Sequence, residues 1–171
     1  MKNLFTLKKE LWHTITSSDP TLLFESTLQK LMALTDYLDN EISEEYKLPS
    51  ELTAEIRLHF AKRVWHYSAD ENFELSIELM LELLVDSIAD ECRYYGYSDA
   101  YIESMSGRIK EVMTSFPEFF AIHETKIRAI VIRSYLIEQL EAKGCPEEVV
   151  CQLVPSYQDI VHRLFLDILE C

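Results

Sequence analysis

The chain has 171 residues, of which 48% are hydrophobic, and a formal net charge of −14, with only three glycines and five prolines. This length suits one domain with a proper core, and the apolar fraction is too high for an intrinsically disordered chain. The acidic charge argues against duplex nucleic acid and anionic membrane as ligands, because both bind basic surfaces.

The N-terminal third predicts three helices separated by polar segments. Residues 3–15 have the pattern of a short amphipathic helix. Asp19 and Pro20 then suit the N-cap and first position of a second helix that runs to about Asn40. We expect residues 41–49 to form a loop and Ser50 to cap a third helix that ends near Tyr67.

The chain is organised around residues 69–95, which we predict to be a buried central helix. Apolar residues recur there at helical spacing, in one row of Phe73, Ile77, Leu81, Leu84, Ile88 and Cys92 and a second of Leu75, Leu79 and Leu83. A helix with so wide an apolar face must be enclosed by others. Ser68 and Glu71 match a capping box at its start, and Gly96 marks its end.

The C-terminal half predicts four more helices. Ser98 begins one, and the second capping-box pattern, Ser115-Phe116-Pro117-Glu118, opens a long one that Gly144 closes. A short helix follows between Pro146 and Pro155, and Ser156 with Asp159 begins the last. Because no segment alternates with period two, the sequence predicts an all-α fold of about seven or eight helices.

We predict a single helical domain over residues 1–171, an irregular bundle around the central helix. The alternative is a short HEAT-like array of helix pairs, because the predicted starts near residues 19, 50, 68, 98, 115 and 145 alternate long and short gaps. The residues of the successive pairs barely repeat, which favours the irregular bundle.

The central helix carries an acid at every fourth residue: Glu74, Glu78, Glu82, Asp86 and Asp90. Like charges at this spacing cost an isolated helix about 0.2–0.5 kcal/mol per pair, so solvation or a basic partner must offset the repulsion. The surrounding segment, residues 36–91, has fifteen acids against four bases, a balance of −11. We expect the first three acids to face solvent and bind a partner. The last two should be exposed or matched to a base such as Arg93.

A tyrosine-rich turn follows the central helix. Tyr94, Tyr95, Tyr97 and Tyr101 combine apolar rings with polar hydroxyls, a composition typical of protein interfaces. The alternative is that some of these rings only seal the end of the helix. Together with Glu74, Glu78 and Glu82, the four tyrosines are the candidate partner-binding residues.

Motifs for catalysis and metal binding are sparse. Glu55 with His59, and Asp159 with His162, could each face one way on a helix and would surround a metal if the two helices met. A carboxylate-bridged bundle needs further glutamates, so we expect no metal and no cofactor. Cys145 lies at a predicted helix N-terminus, where a thiolate is favoured, but no orienting base accompanies it. We therefore expect no enzymatic activity.

These features favour a non-catalytic helical interaction module, an adaptor, chaperone or regulator whose protein partner has a basic surface. Two other classes stay open: a sensor or carrier that holds a small apolar ligand or lipid in an internal pocket, and an acidic mimic of nucleic acid. A homodimer is compatible with the same surface.

Two further observations concern localisation. No apolar run is long enough to span a membrane, and Lys8, Lys9 and Glu10 interrupt the apolar start before a signal-peptide core forms. The four cysteines lack CxxC spacing and are expected to be free thiols. We expect a cytoplasmic protein, or one exported without a classical signal peptide.

Overall fold

The computed structural model describes residues 4–17 and 22–170, which are predominantly helical and contain no strand. The α-helices are α1 (Leu4–Thr16), α2 (Glu25–Tyr37), α3 (Ser43–Glu45), α4 (Ser50–Glu71), α5 (Ile77–Tyr94), α6 (Asp99–Ala142), α7 (Glu147–Leu153) and α8 (Tyr157–Glu170). A π-helical turn, Leu38–Ile42, joins α2 to α3. The predicted all-α fold is confirmed. Within the described ranges, no helix is long and apolar enough to cross a membrane.

The chain divides into two compact units. Among the described residues, the larger unit comprises those between Lys8 and Phe120, and the smaller joins those up to Leu7 to those from Ala121 onward. One boundary falls within α1 and the other within α6, so each of these two helices contributes residues to both units. The single domain over residues 1–171, and the alternative of a HEAT-like array, both stay predictions.

The core of the larger unit is formed by α2, α4, α5 and the first half of α6. Helix α5 packs against both α4 and α2. The fully buried side chains of these helices include Leu28, Leu31, Leu34, Leu52, Ile56, Phe60, Met80, Leu84, Ile88, Met105 and Ile109. Burying each such side chain contributes about 1.5–3 kcal/mol relative to leaving it in water. This core fixes which edge of α5 reaches solvent.

Helix α4 extends four residues beyond its predicted end, to Glu71, so the predicted boundary near Tyr67 is wrong. Ser68 is buried within α4, and its hydroxyl donates to the carbonyl of Phe73 (3.4 Å). It therefore serves the end of α4 and cannot cap the next helix. The helix ends at Asn72, whose φ of 49° is left-handed, a conformation that asparagine tolerates better than most residues.

The central helix α5 begins at Ile77, which corrects the predicted range 69–95. Ser76 is its N-cap, because the Ser76 hydroxyl accepts a hydrogen bond from the Leu79 amide (3.3 Å). Its predicted end is confirmed: Gly96 adopts a left-handed φ of 90°, and the Tyr97 amide donates to a carbonyl in the last turn. One consequence is that Glu74 precedes the helix.

Helix α6 runs through the predicted break at Ser115–Glu118, so the second capping-box prediction is wrong. Ser115 lies in the helix interior, where its backbone cannot adopt the extended conformation of an N-cap. Pro117 has no N–H, so the Met113 carbonyl loses its usual intrahelical donor. The helix nevertheless continues to Ala142.

Other boundaries follow the sequence more closely. The predicted loop at residues 41–49 is helical up to Glu45, and the left-handed Lys47 (φ 52°) then ends the helix. Helix α4 begins at Ser50, although Pro49 holds the N-cap position. The left-handed Gly144 follows α6, and Ser156 caps α8 by accepting from the Asp159 amide (3.2 Å), as predicted. Asp19 and Pro20, the predicted start of the second helix, lie outside the described residues.

Candidate functional site

One edge of α5 is acidic and faces solvent. Glu78, Glu82, Asp86 and Asp90 are all exposed, at steps of four residues. On the opposite side, Met80, Leu84 and Ile88 are fully buried. Because the apolar row is held against the core, the carboxylates must point outward.

We call Glu74, Glu78, Glu82, Asp86 and Asp90 the acidic strip. It does not form one uniform surface, because bases from other helices pair with the acids at its two ends. Glu74 forms an ion pair with Lys30 of α2 (3.1 Å). The neighbouring Ser26 hydroxyl and Lys30 ammonium lower the pKa of the Glu74 carboxyl. At the other end, Asp90 pairs with Arg63 of α4.

The predicted base for the end of the strip, Arg93, lies instead beside Asp99 (3.4 Å). The three middle acids of the strip are Glu78, Glu82 and Asp86. They form no ion pair with any residue in the described part of the chain. These three carboxylates are therefore the part of the strip that stays available to a partner.

The three middle acids line a groove of about 480 Å³, whose lining residues all come from α5 and α6. We call it the acidic groove: Glu78, Leu81, Glu82, Val85, Asp86, Lys110 and Met113. Its apolar lining is Leu81, Val85 and Met113, and Met113 is 46% exposed. Lys110 is the one base among the lining residues. The groove thus combines apolar surface with three carboxylates.

The tyrosine-rich turn divides into exposed and packed rings. Tyr94 is 87% exposed, and Tyr95 also reaches solvent. Tyr97 stacks on Tyr101 with ring centroids 5.4 Å apart, and the Tyr101 hydroxyl donates to the Tyr46 carbonyl (2.6 Å). The last two rings therefore pack the end of α5 against the segment after α3. Only Tyr94 and Tyr95 present an open aromatic surface.

The candidate acids and tyrosines lie at opposite ends of α5. Glu82 and Tyr94 are twelve residues apart, which is about 18 Å along a helix axis. A partner in the acidic groove would need an extended contact surface to reach the exposed tyrosines. The candidate residues predicted from the sequence therefore lie at two separate places. The groove adds five residues that were not partner-binding candidates: Leu81, Val85, Asp86, Lys110 and Met113.

A second cluster lies where α4 meets the C-terminal part of α5. His59 Nε2 is 3.2 Å from Glu91 Oε1 and 3.8 Å from Glu55 Oε2. Partial desolvation and the carboxylates of Glu51, Glu55 and Glu91 together raise the pKa of the nearby Tyr95 phenol. Asp159 and His162, the metal-ligand partners considered from the sequence, belong to the smaller unit.

Sequence reasoning missed Glu91 as the neighbour of Glu55 and His59. Nothing in the spacing of residues within one helix gives the rotation of α5 against α4, so this contact had no local signal. The acidic groove and the Glu55–His59–Glu91 cluster are both made of described residues within the larger unit.

No family model, curated protein or solved structure matches this chain.

Proposed function

We propose that this chain is a non-catalytic protein-interaction module whose acidic groove binds a basic amphipathic helix of a partner protein. The observation that carries the proposal is the composition of the groove, in which Glu78, Glu82 and Asp86 accompany Leu81, Val85 and Met113. Helix-in-groove recognition uses this combination, since apolar anchors enter the groove while charged residues at its edge fix orientation.

The spacing within the groove favours a helical ligand. Glu78, Glu82 and Asp86 follow one another at four-residue steps, as do Leu81 and Val85, so both rows repeat about every 6 Å along α5. A partner helix presents its own side chains at the same interval. Apolar residues of that helix would contact Leu81, Val85 and Met113, while its lysines or arginines would pair with the three carboxylates.

The same residues weigh against the two alternative functions. A wholly apolar ligand or lipid in the groove would take water away from three carboxylates without replacing their hydration. An acidic mimic of nucleic acid needs a continuous row of carboxylates. The strip is interrupted at both ends, where Lys30 pairs with Glu74 and Arg63 pairs with Asp90.

The proposal can be tested with a synthetic peptide. A suitable probe is a fluorescent peptide of about 16 residues, or ~24 Å as a helix, with leucines at helical spacing and lysines elsewhere. A scrambled peptide of the same composition, in which the leucines no longer share a face, is the matched ligand control. We expect saturable binding of the amphipathic peptide by fluorescence anisotropy, and much weaker binding of the scrambled one.

A charge-reversal pair locates the binding surface. Glu78→Lys with Glu82→Lys should weaken peptide binding by about tenfold or more and flatten its salt dependence. Both acids are exposed, so the free energy of unfolding should change by only about 0.5 kcal/mol per site. Glu71→Lys with Glu103→Lys is the control, because these exposed acids lie outside the groove and the net charge changes equally.

Two outcomes would contradict the proposal. Equal weakening by both pairs of reversals would mean that only the overall charge attracts the peptide. Unfolding of the Glu78→Lys, Glu82→Lys variant would mean that these carboxylates are structural. Met113→Gln provides an independent measurement, since losing this exposed apolar contact should weaken binding without changing the charge.

A further inference from the structure

Glu55, His59 and Glu91 bring three metal-ligand atoms together from two helices. One carboxylate oxygen of each glutamate and a ring nitrogen of His59 all lie within 4.8 Å of one another. Glu55 and His59 are four residues apart on α4, so they share one face of that helix, and Glu91 reaches them from α5. The arrangement is therefore set by the packing of α4 on α5.

The burial of the three residues differs in an informative way. The Glu91 side chain is only 14% exposed, whereas those of Glu55 and His59 are about half exposed. A carboxylate with little access to water needs a hydrogen bond or a cation close by. His59 is the neighbour placed to satisfy that need, and the open side of the cluster leaves a cation a route to all three ligands.

We propose that Glu55, His59 and Glu91 form a binding site for a transition-metal dication of the zinc type, with the remaining coordination positions open to water. Zinc binds histidine nitrogen at about 2.0–2.1 Å and carboxylate oxygen at about 2.0–2.2 Å. Tetrahedral ligands at those lengths are separated by ~3.4 Å.

The observed separations of 3.2 and 3.8 Å from His59 Nε2 lie on either side of that value. Small side-chain rotations would complete the site. The imidazole ligand favours zinc and its transition-metal neighbours over magnesium or calcium, which take oxygen ligands. Because the ligands come from α4 and α5, a bound ion would link the two helices.

The same helix supplies a matched control. His66 and Asp70 are also a histidine and a carboxylate four residues apart on α4, with His66 Nε2 2.9 Å from the carboxylate. Among the described residues, no third acid, histidine or cysteine joins this pair within ligating reach. Replacing His66 therefore removes an equivalent surface histidine but leaves the proposed site intact.

The test is metal titration of the full chain after removal of metal with a chelator. We expect zinc to bind at one equivalent by calorimetry, and cobalt to give the visible absorption of a tetrahedral site. Removing a ligand should weaken binding by at least about tenfold, so His59→Ala and Glu91→Gln should both lose zinc affinity. His66→Ala should keep it. Bound zinc should also raise the melting temperature of the unaltered chain but not of His59→Ala.

Several results would overturn the site. The first is an adventitious ion only, which would be seen as weak zinc uptake without saturation. The others are an equal loss of zinc affinity in His66→Ala and full zinc affinity in His59→Ala. If Glu91→Gln fails to fold by circular dichroism, Glu55→Gln decides the matter, since that side chain is half exposed. The peptide-binding variants lie in the acidic groove, so failure of either proposal leaves the other standing.

Discussion

At the scale of single residues, Tyr37 links burial to helix packing. Its side chain is only 3% exposed, and its hydroxyl donates to the Arg108 carbonyl of α6 (3.2 Å). Its ring meets the Phe119 ring edge-on at 5.4 Å. Burial, reinforced by the carboxylate of Glu41, raises the pKa of the Tyr37 phenol to about 12. The folded chain therefore holds this proton more tightly than the unfolded chain does.

This shift predicts how Tyr37→Phe depends on pH. Near pH 8, losing the hydrogen bond should lower the free energy of unfolding by about 0.5–1.5 kcal/mol. Above pH 10, the unfolded phenol of the unaltered chain loses its proton while the folded one keeps it. Its stability then falls as the pH rises toward about 12, and the phenylalanine variant lacks this loss. The difference in the free energy of unfolding between the unaltered chain and Tyr37→Phe should therefore shrink between pH 10 and about 12.

Urea titrations at several alkaline pH values measure the effect. Tyr94→Phe is the control for loss of a tyrosine hydroxyl, because that ring is 87% exposed. A Tyr37→Phe penalty that stays constant from pH 8 to alkaline pH would contradict the raised pKa.

At the scale of the helices, local signals predicted some boundaries and failed at others. Gly96 and Gly144 were identified correctly because a left-handed residue ends a helix through its own backbone. Ser156 was identified through its contact with the Asp159 amide, which is local too. Ser68 and Ser115 carry the same capping pattern, but both lie inside continuous helices. Whether a serine caps or continues a helix depends on the neighbouring helices, which the pattern does not contain.

The candidate sites divide in the same way. The acidic strip followed from four-residue spacing alone, because α5 must present its apolar rows to a core. The ion pairs at its two ends could not be predicted from that spacing, since Lys30 and Arg63 come from α2 and α4. The Met113 side of the groove and the approach of Glu91 to His59 likewise depend on how separate helices pack.

The continuous α6 leads to a prediction about Pro117. A proline inside a helix costs about 3 kcal/mol relative to alanine, and part of that cost is offset by its rigidity in the unfolded chain. Pro117→Ala should therefore raise the free energy of unfolding, by about 1–2 kcal/mol, in urea titrations. The alanine supplies the missing donor to the Met113 carbonyl.

Glu118→Ala distinguishes the continuous helix from a capped start at Ser115. In a continuous helix this exposed residue contributes little, and its replacement should change stability by less than about 0.5 kcal/mol. In a capping box, the same change would remove a bond to the serine amide. If Pro117→Ala left the free energy of unfolding unchanged and Glu118→Ala lowered it, the helix would begin at Ser115, as the sequence predicts.

At the scale of the whole molecule, net charge and local charge act on different steps of binding. The net charge of −14 produces a long-range field that attracts any basic partner and raises its association rate. Contacts within the groove govern how long the partner stays, because changes within one interface act mainly on dissociation. Lys110 separates the two effects, since it is the base among the groove's lining residues.

Lys110→Glu should tighten binding of the basic amphipathic peptide by about threefold to tenfold. The change removes a charge that repels the peptide and adds a carboxylate at the edge of the groove, where one exposed ion pair contributes about 0.2–1 kcal/mol. Lys62→Glu, at an exposed position on α4 outside the groove, changes the net charge equally. In stopped-flow measurements both variants should associate slightly faster at low salt, and only Lys110→Glu should also dissociate more slowly. Slower dissociation in both variants, or in neither, would mean that the peptide does not contact Lys110 and would place its binding surface outside the groove.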